Sequence, residues 1–155
     1  MKKLLRSAAI LLLVLILGTD ASGAKDVATL QPVQVVCMTR AGETVILWTD
    51  TGDQGMGATA ALALECMRSG AAGEIFLDTA EYLLLTEDCL HILEEMNRIL
   101  RPSCNLCLME GTPDLEKVGQ FLRLHSPDAT LMAYRAGKGQ LPTLKTEDGR
   151  MTLVS

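Results

Sequence analysis

The chain has 155 residues, of which 48% are hydrophobic, 21% are charged and 3% are aromatic, and its formal net charge is −5. This balance is typical of a compact protein of one domain. It excludes a basic nucleic-acid-binding face, because such a face needs clustered Lys and Arg to neutralise phosphates, and a single Trp leaves few aromatic surfaces for stacking bases or sugars.

The first 24 residues have the three-part layout of an export signal. Basic residues come first, an unbroken apolar run follows over residues 8–17, and small and polar residues come last. The apolar run is much shorter than the roughly 20 residues of a membrane-spanning helix. We therefore predict a signal peptide or short membrane anchor over residues 1–24, cleaved after Gly23 or Ala24 where cleavage occurs, and a single exported domain over residues 25–155.

Two apolar runs rich in β-branched residues come next, at residues 33–39 and 44–49. Their spacing predicts a hairpin. A glycine-rich loop is expected over residues 51–57, and a segment rich in Ala, Leu, Met and Glu then predicts a helix over residues 58–69 that ends at Gly70.

The segment over residues 73–111 predicts a strand, a helix and a second strand. Its first apolar residues, 74–85, are expected to form one bent strand. Thr86 is expected to cap the following helix with its hydroxyl, Pro102 ends that helix, and residues 104–109 form the next buried strand. The apolar residues of the helix recur at helical spacing and predict one buried stripe: Cys89, Ile92, Leu93, Met96, Ile99 and Leu100.

The last part of the chain has weaker patterns. A Thr-Pro pair predicts the start of a helix that runs to about His125. Residues 131–134 fit a strand or a helix, and residues 152–154 predict a last strand after a turn at Asp148 and Gly149. Strands that alternate with helices predict an α/β fold, and the early hairpin makes its β-sheet mixed rather than wholly parallel.

A glycine pattern offers one candidate binding site. Gly55 and Gly57 begin a G-x-G-x-x-A pattern after a strand and before a helix, and Asp78 follows at the end of the next strand-like run. These are marks of a dinucleotide site. However, the loop before Gly55 is longer than that motif needs, and export separates the chain from cytosolic NAD. We expect the glycines to let a strand turn into a helix. The alternative is a small nucleotide- or phosphate-binding protein that uses the loop over residues 52–57.

The cysteines offer a second candidate. Cys104 and Cys107 form a C-x-x-C pair, but redox pairs of this kind lie at a helix N-terminus, where the thiol pKa is lowered. Side chains three apart on a strand point to opposite faces, so these two thiols should diverge. Cys37, Cys66 and Cys89 also lie on apolar faces of predicted elements. We expect buried free cysteines that act as small hydrophobic residues.

The remaining polar residues assemble no catalytic set. His91 and His125 lack the partners of a triad, and Glu94 and Glu95 are adjacent on a helix, hence about 100° apart. We expect those carboxylates on a solvated face. No catalytic residue, metal ligand or cofactor is predicted.

The order of these segments resembles the N-terminal domain of the Ger(x)C family of spore germination proteins, the C subunits of nutrient germinant receptors. The best-matching part is residues 58–111: the helix ATAALALECMRSG, the strand EIFLDTAEYLLLTED, the helix LHILEEMNRILRPS and the strand CNLCLMEG. A second match is LPTLKTEDGRMTLVS at residues 141–155.

The resemblance implies a non-enzymatic protein that acts through protein–protein association with membrane receptor subunits at the outer face of the membrane. It supplies no catalytic residues. The chain departs from the family in two respects. Thr19 stands where the family has the cysteine of a lipobox. The family's proteins are several times longer than one domain, so the resemblance implies at most a single N-terminal-like domain here.

Overall fold

The structure is a computed structural model, and it describes residues 30–125, 127–138 and 140–154. The predicted export signal over residues 1–24, with its cleavage positions at Gly23 and Ala24, lies outside the described residues. Contacts along the chain separate Met1–Leu30 from Gln31–Ser155, and the second of these is one compact unit.

The described residues form nine strands and four α-helices. The strands are β1 Leu30–Pro32, β2 Val35–Ala41, β3 Thr44–Thr49, β4 Gln54–Gly57, β5 Glu74–Phe76, β6 Tyr82–Leu85, β7 Asn105–Glu110, β8 Thr143–Glu147 and β9 Arg150–Val154. The helices are α1 Ala60–Gly70, α2 Leu93–Met96, α3 Leu115–His125 and α4 Leu131–Arg135, and two short 3-10 helices cover Leu77–Thr79 and Glu87–Ile92.

Seven of the strands form one sheet in the order β4-β3-β2-β6-β7-β8-β9. The neighbouring strands β2, β6, β7 and β8 run parallel to one another. The strands β3, β4 and β9 pair antiparallel with their neighbours at the two ends, and β1 pairs with β5 in a separate sheet. The prediction of an α/β fold with a mixed sheet and packed helices is confirmed.

The two faces of the large sheet carry different numbers of helices. One face, here called the three-helix face, carries Val36, Met38, Leu83 and Leu85 and packs against buried residues of α1, α2 and α4. The opposite face, here called the α3 face, carries Val35, Cys37 and Leu84 and packs against α3. All four residues of β6 are buried, as expected for a central parallel strand that is covered on both sides.

The expectation of one bent strand over residues 74–85 is wrong. β5 and β6 belong to different sheets, and the 3-10 helix Leu77–Thr79 separates them. The Thr79 hydroxyl donates hydrogen bonds to the carbonyl oxygens of Val33, at 2.9 Å, and Phe76, at 3.0 Å. The turn that these hydrogen bonds hold changes the direction of the chain between β5 and β6. The apolar residues on both sides of the turn fit a single strand equally well, which is why the pattern alone predicts one.

The helix predicted after Thr86 is mostly a 3-10 helix, because only Leu93–Met96 is α-helical. Its stripe is confirmed in the core, since Cys89, Leu93, Met96 and Leu100 are buried and Ile92 and Ile99 pack against them. The hydroxyl of Thr86 does not cap the helix. It donates instead to the Asp88 carboxylate at 2.5 Å.

Several other predicted elements are present in the structure, with one exception. The hairpin of β2 and β3 is confirmed, the strand predicted over residues 104–109 is β7, and the ambiguous residues after Thr130 form α4. β9 follows a turn in which Asp148 and Gly149 have φ values of 49° and 74°. The exception is the glycine-rich loop, since Gln54–Gly57 is a strand.

Candidate functional site

Gly55 and Gly57 lie on β4 directly beneath α1. A Cβ atom on Gly55 would lie 2.1 Å from the carbonyl oxygen of Ala63, and one on Gly57 would lie 2.6 Å from the Ala63 nitrogen. Both glycines therefore allow the strand and the helix to approach closely. The expectation of a glycine-rich loop over residues 51–57 is wrong for Gln54–Gly57, because these residues pair with β3 in an antiparallel strand.

The N-terminus of α1 is already capped from within the protein. The Thr59 side chain accepts a hydrogen bond from the Leu62 nitrogen at 3.2 Å, and the Glu95 carboxylate accepts one from the Ala60 nitrogen at 2.8 Å. A phosphate would bind at these backbone N–H groups in a dinucleotide site. Here an internal carboxylate takes the position of that anion.

Asp78 does not complete a dinucleotide site. It is exposed and lies in the 3-10 helix Leu77–Thr79, and the strand before it, β5, is not part of the seven-stranded sheet that contains Gly55 and Gly57. In a dinucleotide-binding fold the acidic residue follows a strand beside the glycine turn. The described geometry therefore does not favour the nucleotide-binding alternative, which stays a prediction.

The two adjacent glutamates have different environments. Glu94 is exposed, whereas Glu95 is half-buried and bonded to α1. The expectation that both lie on a solvated face is thus wrong for Glu95. They line a cleft of about 440 Å³ together with Thr59, Ala61, Arg98 and Ile99. The Glu95 carboxylate therefore acts as a cap of α1, since it accepts the hydrogen bond of the Ala60 N–H group.

The C-x-x-C pair is divided between the two faces of the sheet. Cys104 packs with the three-helix face and Cys107 with the α3 face, which confirms that the thiols diverge. Burial raises the pKa of each thiol to about 12, so neither has the reactive thiolate of a redox pair. Cys37 and Cys89 are buried as expected, but Cys66 on α1 is exposed, contrary to the prediction.

A polar cluster lies where β2 and β6 end. The Arg40 guanidinium contacts His91 Nε2 at 2.5 Å, donates to the Gly42 carbonyl oxygen at 2.7 Å and pairs with Glu43 at 3.1 Å. Desolvation raises the pKa of the neighbouring Cys89 thiol. The charged groups here bond one another and the thiol is not activated, so the cluster has no prepared nucleophile. His125 lies elsewhere, stacked on Phe121.

A partly exposed apolar surface lies on the α3 face, at the β4 end of the sheet. Pairing of β2, β3 and β4 sets Thr39, Ile46 and Met56 in one row and Trp48 and Gln54 in the next. We call these five residues the tryptophan surface. Met56 is 55% exposed, and Ile46 and Trp48 are half-buried. A groove of about 420 Å³ is lined by Ile46, Trp48, Gln54 and neighbouring residues.

Sequence reasoning missed this surface, and the apolar run of β3 gave no signal that could have found it. In β3 the side chains that face α1, such as Val45 and Leu47, are buried, whereas those facing the other side are only half-buried. An apolar run on both faces predicts a strand that is covered on both sides. The single helix α3 leaves this end of its face open, so apolar side chains meet solvent there.

The fold defines a mixed α/β protein whose described part contains no catalytic assembly comparable to a triad. No group of three or more His, Cys, Asp or Glu side chains in the described ranges could hold a metal ion, and no helix there is long and apolar enough to cross a membrane. Comparison with models of protein families, with curated proteins and with solved structures finds no match for the chain.

Proposed function

We propose that this is an exported, non-enzymatic protein that acts through protein–protein association at the outer face of the membrane, in the manner of the first domain of a spore germinant receptor C subunit. Its partners would be membrane receptor subunits. The observation that carries the association role is the tryptophan surface. The export layout of residues 1–24 and the resemblance over residues 58–111 carry the location and the family.

The tryptophan surface has the composition of a protein-binding site. Trp, Met and Ile supply its apolar area, and Thr39 and Gln54 supply hydrogen-bonding groups at its margin. Trp and Met are enriched where proteins meet, and the strongest contacts centre on aromatic side chains in well-packed pockets. Trp48 is the only Trp in the chain, and it lies beside an open groove rather than fully inside the core.

Site-directed cross-linking tests this proposal. A photoreactive residue would replace Met56 in the full chain, expressed in its native cells, and the matched control would replace Leu124, which is 81% exposed on α3. We expect position 56 to cross-link to a germinant receptor membrane subunit and position 124 not to do so. Equal cross-linking at both positions, or a purified chain that stays monomeric and binds no membrane protein, would contradict the proposal.

A substitution at Met56 tests the same proposal through a measured change in binding affinity. Met56→Asp places a charge on the surface while leaving the buried side chains unchanged, so we expect it to weaken receptor binding at least about tenfold, the effect of losing roughly 1.4 kcal/mol. Leu124→Asp should leave binding unchanged. Titration of the chain with NAD and with nucleotides would test the alternative function, nucleotide binding. Gly57→Val is not a suitable variant for that test, because any Cβ added at Gly57 would clash with α1.

A further inference from the structure

The strand β9 is an edge strand without the usual protection against further pairing. In the described part of the chain no strand pairs with its outer side. Edge strands are commonly protected by Pro, by a bulge or by several charges. β9 has the sequence RMTLV, with one charge at its first residue, and it pairs residue for residue with β8.

The turn before β9 determines which of its backbone groups face outward. Asp148 and Gly149 both have positive φ, as a two-residue type I′ turn requires, and such a turn is closed by a hydrogen-bonded pair, here Glu147 and Arg150. Hydrogen-bonded and non-bonded pairs then alternate. The N–H and C=O groups of Met151 and Leu153 therefore point away from β8.

We propose that β9 pairs antiparallel with β9 of a second copy of this chain, about a two-fold axis through Thr152. In this register Met151 lies opposite the second copy's Leu153 and exchanges both backbone hydrogen bonds with it, and Leu153 does the same with Met151. The two Thr152 residues form a non-hydrogen-bonded pair. All four outward groups on each strand are thereby satisfied.

The side chains of the strand fit a second copy. Met151 and Leu153 lie on the α3 face, where they already pack at the margin of its core, so the pairing sets apolar residues beside apolar residues. On the other face each Arg150 lies opposite Val154, and no like charges meet. Apolar and Thr–Thr cross-strand pairs are the stabilising kinds. A different register would lose this match, because shifting one strand by a single residue turns its side chains to the opposite faces of the sheet.

The other edge of the sheet is a poorer candidate. β4 has only four residues, two of which are glycines, and its neighbour α1 lies against it. Glycine weakens strand pairing because it supplies no side chain and loses more backbone entropy. The choice of β9 rather than β4 therefore follows from composition as well as from the outward backbone groups.

Charge variants at Thr152 test the pairing in the full chain. Thr152 is exposed, so Thr152→Lys and Thr152→Glu should fold, which circular dichroism checks. In sedimentation equilibrium we expect the wild-type average mass to rise with concentration towards twice the monomer mass. Each variant alone should stay monomeric because like charges lie directly opposite, and an equal mixture of the two should associate again. Leu124→Lys, at an exposed position on α3, should associate as the wild type does.

A cross-link keeps the proposal testable if a charge variant fails to fold. Non-hydrogen-bonded antiparallel pairs have Cα atoms about 4.5 Å apart, within the range of a disulfide. Thr152→Cys with Cys66→Ser, which removes the exposed thiol, should form a covalent dimer on mild oxidation. A wild-type chain that stays monomeric at high concentration, a Thr152→Lys variant that associates as well as the wild type, or a mixture that stays monomeric would overturn the proposal.

Discussion

Replacing Gly55 with Ala tests whether the glycines of β4 serve packing. The added Cβ would lie 2.1 Å from the Ala63 carbonyl oxygen, 2.5 Å from the Met67 nitrogen and 2.6 Å from the Met67 Cβ. Ordinary contact distances are about 3.5 Å, so α1 and β4 would have to separate by more than about 1 Å. Two of the three obstructing atoms are backbone, which cannot rotate away.

The expected cost follows from what α1 buries. Separation of the helix from the sheet loosens Ala60, Ala63, Leu64 and Met67, which are all in the core. Overpacking typically lowers the free energy of unfolding by about 1–3 kcal/mol. Because the added Cβ clashes with backbone atoms, we expect Gly55→Ala to lower it by about 3 kcal/mol. Gly70 is the matched control, because no atom lies within 4 Å of its added Cβ. Gly70→Ala should stabilise the protein by about 0.5 kcal/mol.

Urea unfolding monitored by Trp48 fluorescence measures both changes, since Trp48 lies on β3 beside β4. The reasoning is refuted if Gly55→Ala stays within about 0.5 kcal/mol of the wild type, the range of ordinary surface substitutions. That result would mean that α1 does not lie on β4 as described, and the glycines would need another explanation, including the binding of a phosphate.

Two further predictions concern the helix cap and the thiols. Glu95→Ala should lower the free energy of unfolding by about 1 kcal/mol because the Ala60 N–H loses its acceptor, whereas Glu94→Ala, at an exposed neighbouring position, should change it little; equal effects in thermal melts would contradict the cap. At pH 8 a thiol reagent should react rapidly with Cys66 alone, since burial raises the pKa of Cys104 and Cys107 to about 12, and with all five cysteines in urea. Cys66→Ser should abolish the rapid phase, and a rapid phase that survives would show that the core thiols are accessible.

The parts of the fold that the sequence predicts are those in which local pattern and environment agree. β6 is apolar at every position and lies in the centre of the sheet. The stripe from Cys89 to Leu100 lies in the core. Both were predictable because burial follows hydrophobicity directly. The same stripe could not distinguish a 3-10 helix from an α-helix, since burial at intervals of three and four residues fits both over so short a segment. The separation of β5 from β6 depends on the Thr79 hydrogen bond to Val33, 46 residues away in the chain.

The candidate sites differ in predictability for a related reason. The divergence of Cys104 and Cys107 follows from strand alternation alone and is confirmed. The cap that Glu95 provides links residues 35 positions apart, and no local pattern indicates it. The tryptophan surface depends on where α3 stops covering the sheet, which is a property of helix placement rather than of β3, so the apolar run of β3 by itself could only predict a strand.

The two proposed contact regions lie at opposite ends of one sheet, and this arrangement makes them compatible. β4 and β9 are its two terminal strands, so pairing through β9 would leave the tryptophan surface of each copy uncovered. The assembly would then offer two equivalent surfaces to partners at a membrane, where linked sites bind more tightly than single ones without any new contact. This gain in affinity requires that the two tryptophan surfaces of the dimer can contact two partners at the same time. Pairing through β9 leaves both surfaces unchanged.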